Sequence, residues 1–290
     1  MGAEDDEVRA HRDQVERWRA DRIARLTGPD GWLSVVGLAW LREGVNTVGS
    51  EPSSNVVLPA GPGRAGSIVV QGGRAAFVAE PGSGVATDGS AVGAGPLSLR
   101  DDVDDDPTVL RLGSLALHVI RRDGALGVRI RDRERAARSG FAGIEHYPVD
   151  IGWRIAARFE PYEPVRSVPV PTVLGTTETY AVPGAAVFDR DGDPLRLDAF
   201  LERPDADLFF VFADLTNLDE TFGGGRYLYA PHAGRDGTVL LDLNRAYNPP
   251  CVFTPHATCP LPLPQNRLPI RVTAGEKRYA EPSTKETAAP

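Results

Sequence analysis

The sequence predicts a mainly β protein: an N-terminal helix, a β-sandwich, and then an antiparallel β-sheet or barrel carrying a proline-rich C-terminal loop. Three observations predict it. Glycine (31) and proline (25) are abundant among 290 residues, which implies many turns and short elements. Short apolar runs recur at even spacing, with turn dipeptides such as Gly72-Gly73, Asp88-Gly89 and Asp123-Gly124 between them. One stretch, at the N-terminus, carries helical periodicity over several turns.

Composition narrows the function classes. The net charge of −8 argues against a broad phosphate-binding surface, so no nucleic-acid partner is expected. No apolar run is long enough to span a bilayer, so no membrane partner is expected either. Residues 1–6 are acidic, with no apolar core after them, which is unlike a secretory leader. Two cysteines in 290 residues do not make a disulfide scaffold, and a cytoplasmic location with reduced thiols is the expectation. Oligomeric state is not indicated.

Four segments follow in order. Residues 4–26, within an N-terminal segment 1–31, read as a helix. Val8, Val15, Trp18, Ile23 and Leu26 recur at spacings near three, four and seven, and Gly28-Pro29-Asp30-Gly31 ends it. The mixed-charge face suits a helix packed on the body better than one lying on anionic lipid. Residues 32–137 form the sandwich region. Its first run, WLSVVGLAWLREGV, is short enough to be a buried strand pair or a helix. Strands are then expected at 56–58, 67–70, 75–79, 97–99, 108–112, 115–121 and 127–131. The acidic run 101–106 lacks the alternation and glycine of a calcium loop, so a solvated loop is expected.

Residues 138–277 form a C-terminal β unit. Ile155, Ala157 and Phe159 alternate with Arg154, Ala156 and Arg158, a strand with one wet face. Strands are expected at 172–174, 179–182, 185–188, 194–198, 208–213 and 268–273, with 226–230 and 238–243 paired to each other. Residues 189–193 read as a hairpin turn. Residues 278–290 are small and polar, and disorder is expected there.

Two resemblances add to this. Residues 48–58 (VGSEPSSNVVL) and 110–120 (LRLGSLALHVI) resemble the opening and late strands of a forkhead-associated domain. That resemblance implies a phosphothreonine-reading fold. Yet Ser50 occupies the place of the phosphate-reading arginine, and no His follows in the loop 59–67, so phosphopeptide reading is not expected. The runs GGGRYL, LDLNRAYNPPCVFTPHATCPLPLPQNRLPI and AGEK resemble the signatures of a bacterial family of domains of unknown function, DUF1684. The resemblance reaches back to about residue 30 and implies kinship without an activity.

The stretch 214–277 holds the densest set of polar and special residues. Cys251-x4-His256-x2-Cys259 offers two thiols and an imidazole. Three readings stay open: a catalytic thiol at Cys251 activated by His256 or held near Arg245, a metal site completed by His232, Asp242 or water, and a pair of buried small side chains. The spacing is loose for zinc, so no metal and no cofactor are expected. Asp214, Glu220, Arg226, Tyr227, Arg245 and Asn248 are the residues expected to line a pocket for a small polar or acidic molecule. Gly223–Gly225 would let backbone N–H groups approach an anion, though no phosphate-loop signature follows and a glycine-rich turn is the plainer reading. Asn244, Asn248 and Asn266 are expected to tie down a proline-rich loop. The sequence thus leaves open an enzyme or a small-molecule binder, with a protein-interaction module built on the sandwich as the alternative.

Overall fold

Among the described residues, those within 25–140 and 253–257 form one compact unit, and those within 3–24, 141–252 and 258–279 form another. The computed structural model describes residues 3–104, 106–138, 140–190 and 192–279; of the segment 278–290 expected to be disordered, Arg278 instead donates to the Glu220 and Thr221 carbonyls, and 280–290 lie outside the described residues.

The first unit is a two-sheet sandwich. A 3-10 turn at Trp32–Ser34 leads into β1 (Val35–Trp40), and β2 (Gly44–Gly49) and β3 (Val56–Val57) follow. Next come β4 (Gly66–Gln71), β5 (Arg74–Ala79), β6 (Ala86–Thr87), β7 (Ser90–Ala91) and β8 (Leu97–Leu99). The last three are β9 (Val109–Leu112), β10 (Leu115–Arg122) and β11 (Ala125–Asp132). One sheet has the order β1-β11-β10-β9-β6-β7, the other β3-β2-β4-β5-β8. Alternation puts Ile68, Val70 and Phe77 of one sheet and Leu117, Val119, Val128 and Ile130 of the other into a shared core. The turns form where the dipeptides stand: Asp88-Gly89 and Asp123-Gly124 both have positive φ at both residues, as a tight hairpin turn requires. The acidic run is not simply solvated. Asp101 is buried and accepts from Arg121, Asp102 accepts from Arg122 and the Arg121 N–H, and Asp106 accepts from Arg100. Asp105 lies outside the described residues.

The second unit begins with α1 (Ala3–Thr27), its last residues belonging to the sandwich unit. Its buried stripe runs through His11, Val15, Arg22 and Leu26, while Val8, Trp18 and Ile23 are only half-buried. Two polar residues thus replace part of the expected apolar face. The sheet contains β12 (Arg154–Pro171), β13 (Thr177–Arg190), β14 (Asp193–Leu201), β15 (Leu208–Phe212), β16 (Arg226–Ala230) and β17 (Thr238–Asp242), in the order β16-β15-β14-β13-β12-β17. Its core holds Leu197, Leu208, Phe210, Phe212, Leu228 and Leu241, each at or near zero exposure and contributing about 1.5–3 kcal/mol by burial.

Several expectations are corrected here. The segments 179–182 and 185–188 are one strand, β13: Pro183-Gly184 stands at a bulge in the β14 pairing, and a Cβ at Gly184 would lie 2.4 Å from the Glu160 carbonyl oxygen of β12. Thr172–Leu174 is a single bridge followed by a turn. β16 and β17 do not pair: β16 bonds to β15 and β17 to β12, because apolar alternation marks a strand without naming its partner. Residues 268–273 are not a strand, since Val272 and Ala274 give their carbonyls to a side chain. The 189–193 segment does turn a hairpin, with Gly192 N–H donating to Asp189, while Asp191 lies outside the described residues.

Candidate functional site

Every pocket residue expected from the sequence lies in the large-sheet unit, where they fall into three adjoining groups. The first centres on Arg226, fully buried at the start of β16. Its Nη2 donates to Asp214 Oδ2 at 2.7 Å and to the Val272 carbonyl at 2.8 Å, and its Nη1 donates to the Ala274 carbonyl. Asp214 caps the short 3-10 turn Leu215–Leu218 and accepts from Thr216 N–H, Thr216 Oγ1 and Val272 N–H. The pair therefore serves as an internal fastener for the segment 272–276, with no exposed surface for a ligand.

Glu220 is half-exposed and accepts from Arg271, as does Asp219. Tyr147 lies beside it, and burial together with the Glu220 carboxylate pushes its phenol up to about 12. The glycines are a turn: Gly225 alone has positive φ, and a Cβ there would meet the Phe212 carbonyl oxygen at 2.5 Å.

The second group joins α1 to the same segment. Glu276, fully buried, accepts from Arg22 Nε at 3.2 Å and from Asn248 N–H at 2.7 Å. Arg22 also donates to the Asn248 carbonyl, and the Asn248 amide donates to the Lys277 carbonyl. Burial raises the Glu276 carboxyl above its ordinary range, against the opposing pull of Arg22. Arg245 pairs with Asp242, which also takes a bond from His11 at 3.0 Å and from Asn244. Asn266 donates to the carbonyls of Asp198 and Val211 and Asn244 to that of Asp150, so amides fasten backbone here.

The third group is an aromatic seam on the other face of β14–β16. Tyr180 stacks on Phe200, Phe200 meets Phe209 edge-on, and Phe209 stacks on Tyr229 at 4.7 Å and 19°. Tyr229 lies near-parallel to Tyr247 at 6.3 Å and 16°, and the Arg22 guanidinium covers the Tyr247 ring at 4.5 Å. Tyr227 packs edge-on against Phe209 and Tyr247 and donates to the Pro260 carbonyl. Tyr229 is 39% exposed, and its hydroxyl donates to the exposed Glu202 carboxylate at 2.7 Å. Burial of the ring body, then Tyr247 and Glu202, pushes the Tyr229 phenol far up, so it stays protonated.

The cysteines adjoin this seam. Cys251 is half-buried and Cys259 buried, and the Cys251 N–H donates to Cys259 Sγ at 3.2 Å. A thiol–thiol hydrogen bond, burial and the neighbouring sulfur raise the Cys251 pKa strongly. His256 belongs to the sandwich unit, where its N–H donates to Thr254 Oγ1; burial and Arg135 lower its imidazole. Among the described residues no group of three or more His, Cys, Asp or Glu side chains is arranged to hold a metal ion, and no helix is long and apolar enough to cross a membrane.

Sequence reasoning missed Arg22, His11, Glu276, Tyr247, Tyr229 and Glu202. A signal existed for the first two, polar residues at helical spacing with Val15 and Leu26. Another lay in RYLYA, which puts Tyr227 and Tyr229 on one face of a strand.

Comparison with known proteins gives three findings. Residues 139–277 match the model of a family described as "Protein of unknown function (DUF1684)". No curated protein matches the chain. A solution NMR structure of an uncharacterized protein of Haloarcula marismortui is similar at 33% identity, over 48% of this chain and 78% of that one, with a TM-score of 0.41.

Proposed function

We propose that the chain binds a small polar molecule on the aromatic seam of its C-terminal β unit, and that an organic cation is the chemistry the seam accepts best. The observation that carries this is Tyr229. Its ring is open at one edge, stacked in line with Phe209 and Tyr247, and its hydroxyl is oriented by an exposed carboxylate, Glu202. The exposed Glu202 carboxylate supplies the charge that attracts a cation, and the open edge of Tyr229 supplies apolar contact for its alkyl groups. The arginine at the seam, Arg22, is held by Glu276 and the Asn248 carbonyl, while Glu202 is a carboxylate exposed to solvent beside Tyr229.

This reading sets Asp214, Arg226 and Asn248 behind the site as its support. It favours a binder over a thiol enzyme, since the raised Cys251 pKa opposes thiolate formation. A location in the cytoplasm is part of the proposal. The test is thermal stabilisation by a panel of primary and quaternary ammonium compounds beside their neutral isosteres. The expected result is stabilisation by some ammonium compounds, weakened at least tenfold in Tyr229→Ala and Glu202→Gln and retained in Arg158→Gln. Absence of any ammonium binder at millimolar concentration, or binding unaffected by Tyr229→Ala, overturns it.

For the sandwich we propose a forkhead-associated-like scaffold that does not read phosphothreonine. Its division into six- and five-stranded sheets supports the scaffold, and Ser50, whose hydroxyl donates to the Gly61 carbonyl, supports the second part. Micromolar binding to a phosphothreonine peptide library, lost on dephosphorylation, would contradict it.

A further inference from the structure

We propose that Cys251 and Cys259 are a redox-responsive pair that closes reversibly into an intrachain disulfide. Both sulfurs sit on backbone held from elsewhere. Cys251 follows Pro249-Pro250 in a 3-10 turn closed by the Val252 N–H on the Pro249 carbonyl. Cys259 gives its carbonyl to the Val173 N–H, and the Pro260 carbonyl after it takes the Tyr227 hydroxyl. The 3.2 Å bond from Cys251 N–H to Cys259 Sγ places the second sulfur against the first residue's own backbone, and the two thiols lie within hydrogen-bond reach of each other. Exposure assigns the order: half-buried Cys251 meets the oxidant, and buried Cys259 resolves.

With glutathione disulfide as oxidant, the Cys251 thiolate attacks one sulfur, forming a mixed disulfide and expelling one glutathione thiolate, which takes a proton from water. Cys259 then loses its proton and attacks Cys251 Sγ, forming the Sγ–Sγ bond and releasing the second glutathione. Two protein thiols are oxidised and one glutathione disulfide is reduced to two glutathiones. The hydrogen bond and burial that raise the Cys251 pKa make this first attack slow near neutral pH. The first step therefore speeds about tenfold per pH unit below that pKa.

The experiment uses the full chain, reduced, freed of reductant and incubated folded with glutathione disulfide at pH 7 to 9, then quenched with iodoacetamide. Intact mass spectrometry is expected to show loss of two hydrogens and of both alkylation sites, with a cross-linked Cys251–Cys259 peptide that dithiothreitol restores. Cys259→Ser should instead accumulate a stable Cys251–glutathione mixed disulfide, and Cys251→Ser should react at neither position while folded. Far-ultraviolet circular dichroism of each variant separates misfolding from loss of chemistry. The proposal is overturned if the folded wild type stops at the mixed disulfide, forms intermolecular cross-links, or closes only at the rate of unfolding in urea.

Discussion

Replacing Arg226 by Met removes the charge at the centre of the large-sheet unit while keeping much of the side-chain volume. Asp214 is then left as a carboxylate with zero side-chain exposure and no cation, and the carbonyls of Val272 and Ala274 lose their donor. Stranding one member of a buried pair costs about 3–5 kcal/mol. Each orphaned carbonyl adds about 1 kcal/mol or more where water cannot reach it. A loss of about 5–7 kcal/mol is expected, a large part of the roughly 5–15 kcal/mol that holds a domain together. Urea titration followed by hydrogen-exchange mass spectrometry measures it unit by unit, with the loss expected in residues 141–252 and 258–279. The double variant Asp214→Asn, Arg226→Met should lose less than the sum of the single variants by at least about 1 kcal/mol, because the stranded charge is gone. A loss below about 1 kcal/mol in Arg226→Met, or strict additivity in the double variant, would refute the view that this pair fastens the C-terminal segment.

Three further outcomes are expected. In the sandwich, burial, then repulsion from Arg131 and Arg129, pushes His118 down to about 4 from 6.5. The folded state therefore binds fewer protons than the unfolded one between those values, and stability should fall by about 2–3 kcal/mol as pH drops from 6.5 to 4; His118→Gln should flatten that part of a urea-midpoint-versus-pH curve. Gly225→Ala should cost about 2 kcal/mol or more by thermal denaturation, since positive φ and a 2.5 Å approach to the Phe212 carbonyl oxygen act together; a change under about 0.5 kcal/mol would show that the turn relaxes. Cys251 in the folded protein should react with iodoacetamide at pH 7.5 more slowly than in urea, as its raised pKa requires; equal rates would contradict the buried thiol pair.

What the sequence determined by itself was local. Period-two alternation and the turn dipeptides located most strands of the sandwich, because a strand's two faces and a turn's positive φ are written in consecutive residues: Asp123-Gly124 turns the β10–β11 hairpin where it was expected. The helix was legible from its period and its Gly-Pro stop. Partnership was not local. β16 bonding to β15 instead of β17, and β13 running through Pro183-Gly184 as a bulge, depend on what lies across the sheet. The polar residues show the same limit. Asp214 and Arg226 looked like ligand-binding groups because charge in sequence implies water, and only the tertiary structure shows both at zero side-chain exposure, neutralising each other. Arg22 and Glu276 meet across almost the whole chain, which no spacing rule reaches. The aromatic seam, too, exists only once β14, β15 and β16 lie side by side, since stacking of Phe209 on Tyr229 is a property of sheet register and not of either residue's neighbours in sequence.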